Sequence, residues 1–197
     1  TDIGRGYVYG TAPLFAARFV AQYVDGGCAP RKDLIPSLLV RSLYGADAKN
    51  CNEGFISSYD NISLVGRPLS GLYDLISVLA LFFIGRKLFG WRVGLLAAAF
   101  NAAAVVPSQQ SHYFTVDSMA TMFVTLAILF CARMVMMQVQ SAKDAVMLWG
   151  NAALGGLMSG FAVASKISAW PIAVIVIVCV VVALVRGHAK RLKESIE

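Results

Sequence analysis

The stretch Ile62–Ile84, ISLVGRPLSGLYDLISVLALFFI, decides the fold class. As a helix rising about 1.5 Å per residue, it matches the roughly 30 Å hydrocarbon core of a bilayer. Its polar residues are not scattered. Ser63, Arg67, Ser70, Asp74 and Ser77 recur at spacings of four, three, four and three, which places them on one helical face. An ionised side chain at mid-bilayer costs roughly 2.5–3.5 kcal/mol on insertion scales, so this stripe is expected to face a helix bundle or a wet cavity. Arg67 and Asp74 lie about 10 Å apart along the axis, so each needs a partner elsewhere. Two roles are open for the stripe: a polar cavity for an anionic group with Arg67 near the outer surface, or buried charges that lock helix to helix.

Working outward, four more stretches are apolar enough to cross or nearly cross: Val93–Val106, Val116–Met136, Ala145–Ala164 and Ile167–Val185. The second is short and would need interfacial help from Trp91 and Pro107. The bulk composition agrees. Hydrophobic residues make up 58% of the 197-residue chain and charged ones 14%, well below the roughly 25% of soluble domains. The mean hydropathy is +0.68. The expected architecture is an all-α integral membrane protein: a bundle of about five transmembrane helices over residues 62–185, an N-terminal extracytoplasmic loop segment over 1–61 with short interfacial helices, and a basic cytoplasmic tail over 186–197.

The net charge of +6 raises the question of a nucleic-acid partner. Residues 1–60 carry six basic and six acidic side chains, which cancel, as do Arg67 with Asp74 and Asp117 with Lys166. The excess sits at Arg86, Lys87 and Arg92, at Arg133 and Lys143 beside Asp144, and from Arg186 to Glu197. Basic residues clustered at helix ends are the positive-inside signature, and a nucleic-acid surface is excluded. These clusters are assigned to the cytoplasm. The loop 108–115, Lys166 and residues 1–60 then face the other side, an alternation consistent with five crossings.

Before the first crossing, Leu14 to Val24 forms an apolar stretch too short to span and interrupted by Arg18, which reads as a helix lying in the interface. A second short helical stretch is expected near Leu34–Tyr44. Cys28 and Cys51 share this outer segment, while Cys131 and Cys179 fall in spans. Both a bridge between the first two and a pair of free thiols are open. The chain begins at Thr1 without an initiator Met or a signal-peptide pattern, so a fragment with one or more helices upstream is expected. Asn61-Ile-Ser63 matches a glycosylation sequon but abuts a span, which argues against its use.

Chemistry-bearing residues concentrate in one loop. Gln109, Gln110, Ser111, His112, Tyr113 and Asp117 crowd a short connection that needs few polar groups. His112 can relay a proton near neutrality, and Asp117 can accept one or hold a hydroxyl. Asp117 has a structural role open to it as well, as a carboxylate in the first turn of a helix. Lys166 stands alone between two apolar spans on the outer side, where it either snorkels to the interface or binds a phosphate. Gly156-Leu-Met-Ser-Gly160 reads as a small-xxx-small contact between helices. Neither metal-ligand spacing nor a nucleotide-binding loop is present, and no cofactor is expected.

Several blocks occur in a familiar order: Tyr9-Gly-Thr-Ala-Pro-Leu-Phe15, Val65-Gly-Arg-Pro-Leu-Ser-Gly-Leu-Tyr-Asp74, Gly85-Arg-Lys-Leu-Phe-Gly-Trp-Arg-Val-Gly-Leu-Leu-Ala-Ala98, Gln110-Ser-His-Tyr-Phe-Thr-Val-Asp117 and Gly160-Phe-Ala-Val-Ala-Ser-Lys166. The series resembles the polytopic GT-C glycosyltransferases that use lipid-phosphate sugars, the protein O-mannosyltransferase-like group of family 39. The resemblance implies a membrane enzyme that takes a sugar from a polyprenyl or dolichyl phosphate carrier and passes it to a protein or glycan acceptor outside the cytoplasm. It would reside in the plasma membrane of a prokaryote or in the endoplasmic reticulum. By the same resemblance His112 and Asp117 belong to the loop facing the active site and are the catalytic candidates. Arg67 and Lys166 would line the exit of the carrier phosphate, and Gln110, Tyr113 and Asp74 would contact substrate. The group's catalytic base is an Asp, often in an Asp-Glu pair, early in the first outer loop. No such pair stands here, so the resemblance puts the base upstream of Thr1. A transporter or flippase, with the stripe from Ser63 to Ser77 along its path, is the rival; no inverted repeat supports it. A non-catalytic membrane subunit, whose buried charges only specify packing, is a third possibility.

Overall fold

A computed structural model describes residues 12–25, 62–105, 109, 115–137, 139 and 141–194. The described residues form helices and contain no β-strand. The second helical stretch, Cys28, Cys51 and the Asn61 sequon lie outside them.

Helix α1 runs Ala12–Asp25. Pro13 sits in the first turn, where its missing N–H leaves no hydrogen bond unmade. Pro13, Ala17 and Ala21 recur every fourth residue and are buried, whereas Leu14, Phe15 and Phe19 are exposed. A stripe of compact residues lets α1 lie close against α2, its main neighbour. Its length of about 21 Å falls short of the bilayer core.

Helix α2 runs Ile62–Phe89 and buries Val65, Ser70, Tyr73, Ser77 and Ala80. A tight turn at Gly90 then starts α3, Trp91–Ala103. Gly90 has φ 99°, a conformation open chiefly to glycine. Below the turn the two backbones touch. A Cβ on Gly94 would lie 2.6 Å from the Phe82 carbonyl oxygen, and one on Gly85 would lie 2.8 Å from the Gly94 Cα. These two glycines are therefore required by the closeness of the hairpin.

Helix α4, Val116–Val135, runs parallel to α2. Tyr73 packs with Met119 and Met122 toward one end of the pair, and Lys87 and Arg133 share a cavity at the other. Over Val93–Val106, where a second span was expected, the helix is α3, about 20 Å long, and Ala104 turns extended at φ −70° and ψ 128°. Among the described residues four helices are long and apolar enough to cross a membrane: Val65–Phe89, Val116–Val135, Ala142–Ser165 and Ile167–Gly187.

Helix α5, Ala142–Ser165, opens on a capping box in which Ser141 and Asp144 satisfy each other's backbone N–H groups. Lys166 breaks it with extended backbone, φ −150° and ψ 116°; a short 3-10 turn, Ile167–Ala169, leads into α6, Pro171–Glu194. Helices α4, α5 and α6 share a core of Ala127, Cys131, Met134, Leu148, Ala162, Ile172, Val176 and Ala183, against which Cys179 packs. The small-residue contact of α5 is one position off the expected register. Gly156 and Gly160 are exposed with open space around them, while Gly155, Ser159 and Ala162 are buried. Gly155 meets the Phe130 side chain of α4 and Val176 of α6. A run of five residues holding glycines at both 155 and 156 offers two nearly equivalent small faces, and packing by α4 and α6 selects one.

Candidate functional site

Asp117 and Lys166 are 49 residues apart and meet where α4 begins and α5 ends. Antiparallel packing of the two helices puts these ends side by side. The Lys166 Nζ donates to Asp117 Oδ1 at 2.5 Å. Each side chain is 32% exposed, so the pair borders the surface and an incoming ligand can reach it.

The placement of each charge follows from its helix. Thr115 is the N-cap of α4 without capping it through its side chain, and its Oγ1 lies 3.3 Å from Ser118 Oγ. Asp117 thus sits in a first turn whose N–H groups lack intrahelical acceptors, at the positive end of the macrodipole. Lys166 is the C-cap of α5, at the negative end. The Lys166 N–H still closes the helix on the Ala162 carbonyl at 2.9 Å, while its own carbonyl accepts from Ala169. The last turn of α5 and the first of the 3-10 helix therefore both fix the lysine backbone.

On α2 the polar stripe divides. Ser70 and Ser77 lie on the buried face, where the Ser77 hydroxyl donates to the Tyr73 carbonyl at 2.9 Å. The Ser70 hydroxyl is buried with no hydrogen-bond partner among the described residues. Asp74 is half-buried, and Arg67 is exposed. The serines account for the inward face; the arginine does not join it. Arg67 precedes Tyr73 by nearly two turns, and Asp117 precedes the Met119 and Met122 that Tyr73 touches. Arg67 and the Asp117–Lys166 pair thus occupy the same end of the bundle, without a direct bond between them among the described residues. Gln110, His112 and Tyr113 lie outside the described residues.

Reading the sequence alone assigned Asp117 and Lys166 separate tasks and missed their pairing. Opposite charges at the matching ends of two consecutive antiparallel helices were the signal that could have found it.

Chemically, this end offers an ammonium oriented by a carboxylate, with a guanidinium at the same end of the bundle on α2. Such a set can receive an anion: an ammonium carries three N–H donors, and an arginine presents a fork suited to phosphate. Residues 60–197 match the model of a family described as dolichyl-phosphate-mannose-protein mannosyltransferase. No curated protein and no solved structure matches the chain.

Proposed function

The chain belongs to the dolichyl-phosphate-mannose-protein mannosyltransferase family of membrane glycosyltransferases, and from that premise we propose that it helps transfer a sugar from a polyprenyl-phosphate carrier to an extracytoplasmic acceptor. The Asp117–Lys166 pair is the observation that supports this most directly. In the transfer an acceptor hydroxyl attacks the anomeric carbon and gives its proton to a base. The bond from that carbon to the carrier phosphate breaks, and its electron pair stays on the phosphate oxygen. The leaving group therefore gains negative charge. Cations placed where that charge develops lower the barrier, and a phosphate needs no general acid to leave.

In this proposal Lys166 meets the departing phosphate and Arg67 meets it from α2. Asp117 is a positioning residue: its carboxylate fixes the ammonium and keeps the resting site close to neutral. His112 relays the acceptor's proton toward the base, while Gln110, Tyr113 and Asp74 hold substrate hydroxyls. The donor is a dolichyl or related polyprenyl phosphate sugar, and the acceptor a protein or glycan.

Donor titrations on the full-length enzyme in membranes test the assignment, with release of lipid phosphate as readout. Lys166→Gln should lower donor-dependent rate about ten- to a hundredfold, the worth of one charge-assisted hydrogen bond. Lys166→Arg should recover part of it. Asp117→Asn should raise the apparent KM for donor through a loosened Lys166. Unchanged kinetics in all three variants, at matched folded amounts, would remove the pair from the reaction.

A further inference from the structure

At the opposite end of the bundle, Arg86, Lys87 and Arg133 line a cavity of about 470 Å³ between α2 and α4, with Phe83 and Leu129 as its apolar wall. A second cavity of about 530 Å³ shares Lys87 and Arg133 and extends along α5 past Met147 and Leu154. These volumes lie within the usual range of ligand sites.

All three cations are exposed, and none has an ion pair or hydrogen bond among the described residues. Their neighbours differ. Arg92 lies 5.7 Å from the centre of the Trp91 ring, and Arg186 donates to the Val135 carbonyl at 3.2 Å. Asp144, on the wall of the second cavity, is a carboxylate already engaged: it accepts from the Ser141 N–H at 2.8 Å and the Ser141 hydroxyl at 2.9 Å.

Three like charges at one mouth repel each other and favour an anion between them. A free anion would satisfy the cations and leave the apolar wall wet. A phospholipid presents a phosphate directly above hydrocarbon, which matches both parts of the cavity. We propose that this cavity binds an anionic phospholipid, its headgroup phosphate held by Arg86, Lys87 and Arg133 and an acyl chain lying against Phe83 and Leu129. Basic recesses between membrane helices are suited to such headgroups, and each basic residue near an anionic surface strengthens the attraction. The site is separate from the Asp117–Lys166 pair and independent of the transfer reaction proposed above.

Native mass spectrometry of the detergent-solubilised chain tests this, with phosphatidylglycerol and phosphatidylcholine of identical acyl chains at equal concentration. Preferential retention of phosphatidylglycerol is expected. Joint substitution Arg86→Gln, Lys87→Gln and Arg133→Gln should lower that preference about a hundredfold, while Arg92→Gln should leave it intact. Leu129→Trp keeps every charge and fills the wall, so it should reduce retention of phosphatidylglycerol by itself. Equal retention of the two lipids, or a preference that survives the triple substitution, overturns the proposal. Displacement of phosphatidylglycerol by millimolar inorganic phosphate, with no response to Leu129→Trp, would identify a free-anion site and overturn it too.

Discussion

The Lys166 ammonium lies 2.5 Å from the Asp117 carboxylate, and each of the two charges occupies the helix end whose dipole favours it. Three attractions therefore coincide: one between the side chains and one between each side chain and its own helix. Exchanging the residues separates them. The double variant Asp117→Lys with Lys166→Asp keeps an opposite pair but sets both charges against their dipoles. With each helix-end interaction worth about 0.3–1 kcal/mol, reversing both should cost about 1–4 kcal/mol. Thermal unfolding of the solubilised protein measures this, and a swap as stable as the parent would assign the whole effect to the pair.

Gly94 and Gly156 should respond oppositely to alanine. Both lie within helices, where alanine is favoured over glycine by up to about 1 kcal/mol. At Gly94 the added methyl meets backbone, 2.6 Å from the Phe82 carbonyl oxygen, and backbone cannot rotate away. Overpacking of this kind costs about 1–3 kcal/mol, so Gly94→Ala should destabilise the protein. At Gly156 the methyl meets open space, and Gly156→Ala should be neutral or stabilising. The same unfolding measurement decides both, and equal effects at the two sites would refute the close α2–α3 contact.

Orientation is testable by labelling. Lys143 precedes most of α5 and Ser168 follows it, so the helix separates them. In a background without the native cysteines, Lys143→Cys should react with an impermeant thiol reagent only from the cytoplasmic side. Ser168→Cys should react only from the other. Labelling of both from one side would show that α5 does not cross.

The long spans were legible because their signal is length and apolarity, which composition reports directly. The boundary of α3 was not. Val93–Val106 is uniformly apolar, and nothing in that run marks Ala104 as the place where the backbone turns extended. On α5 the choice between Gly155 and Gly156 depended on Phe130 and Val176, side chains supplied by other helices. The stripe on α2 was legible as a periodicity but not as a burial pattern. A face about 100° wide holds the serines at its centre and leaves Arg67 at its margin. The Asp117–Lys166 contact was within reach only by joining two readings, the topology that puts both residues on the outer side and the adjacency of the consecutive helices α4 and α5.

The glycine contact between α2 and α3 also bears on entropy. Lipid tails are as apolar as leucine, so helices in a bilayer gain little by hiding greasy surface from one another. What they lose on docking then weighs more heavily. Larger side chains at an interface give up rotamers, at a cost of up to about 2 kcal/mol each, whereas glycine has none to give up. Gly85 and Gly94 are nine positions apart along the chain and meet backbone to backbone. Their association thus closes a short loop and freezes no side chain at its tightest point, which keeps the entropic cost of ordering this hairpin low.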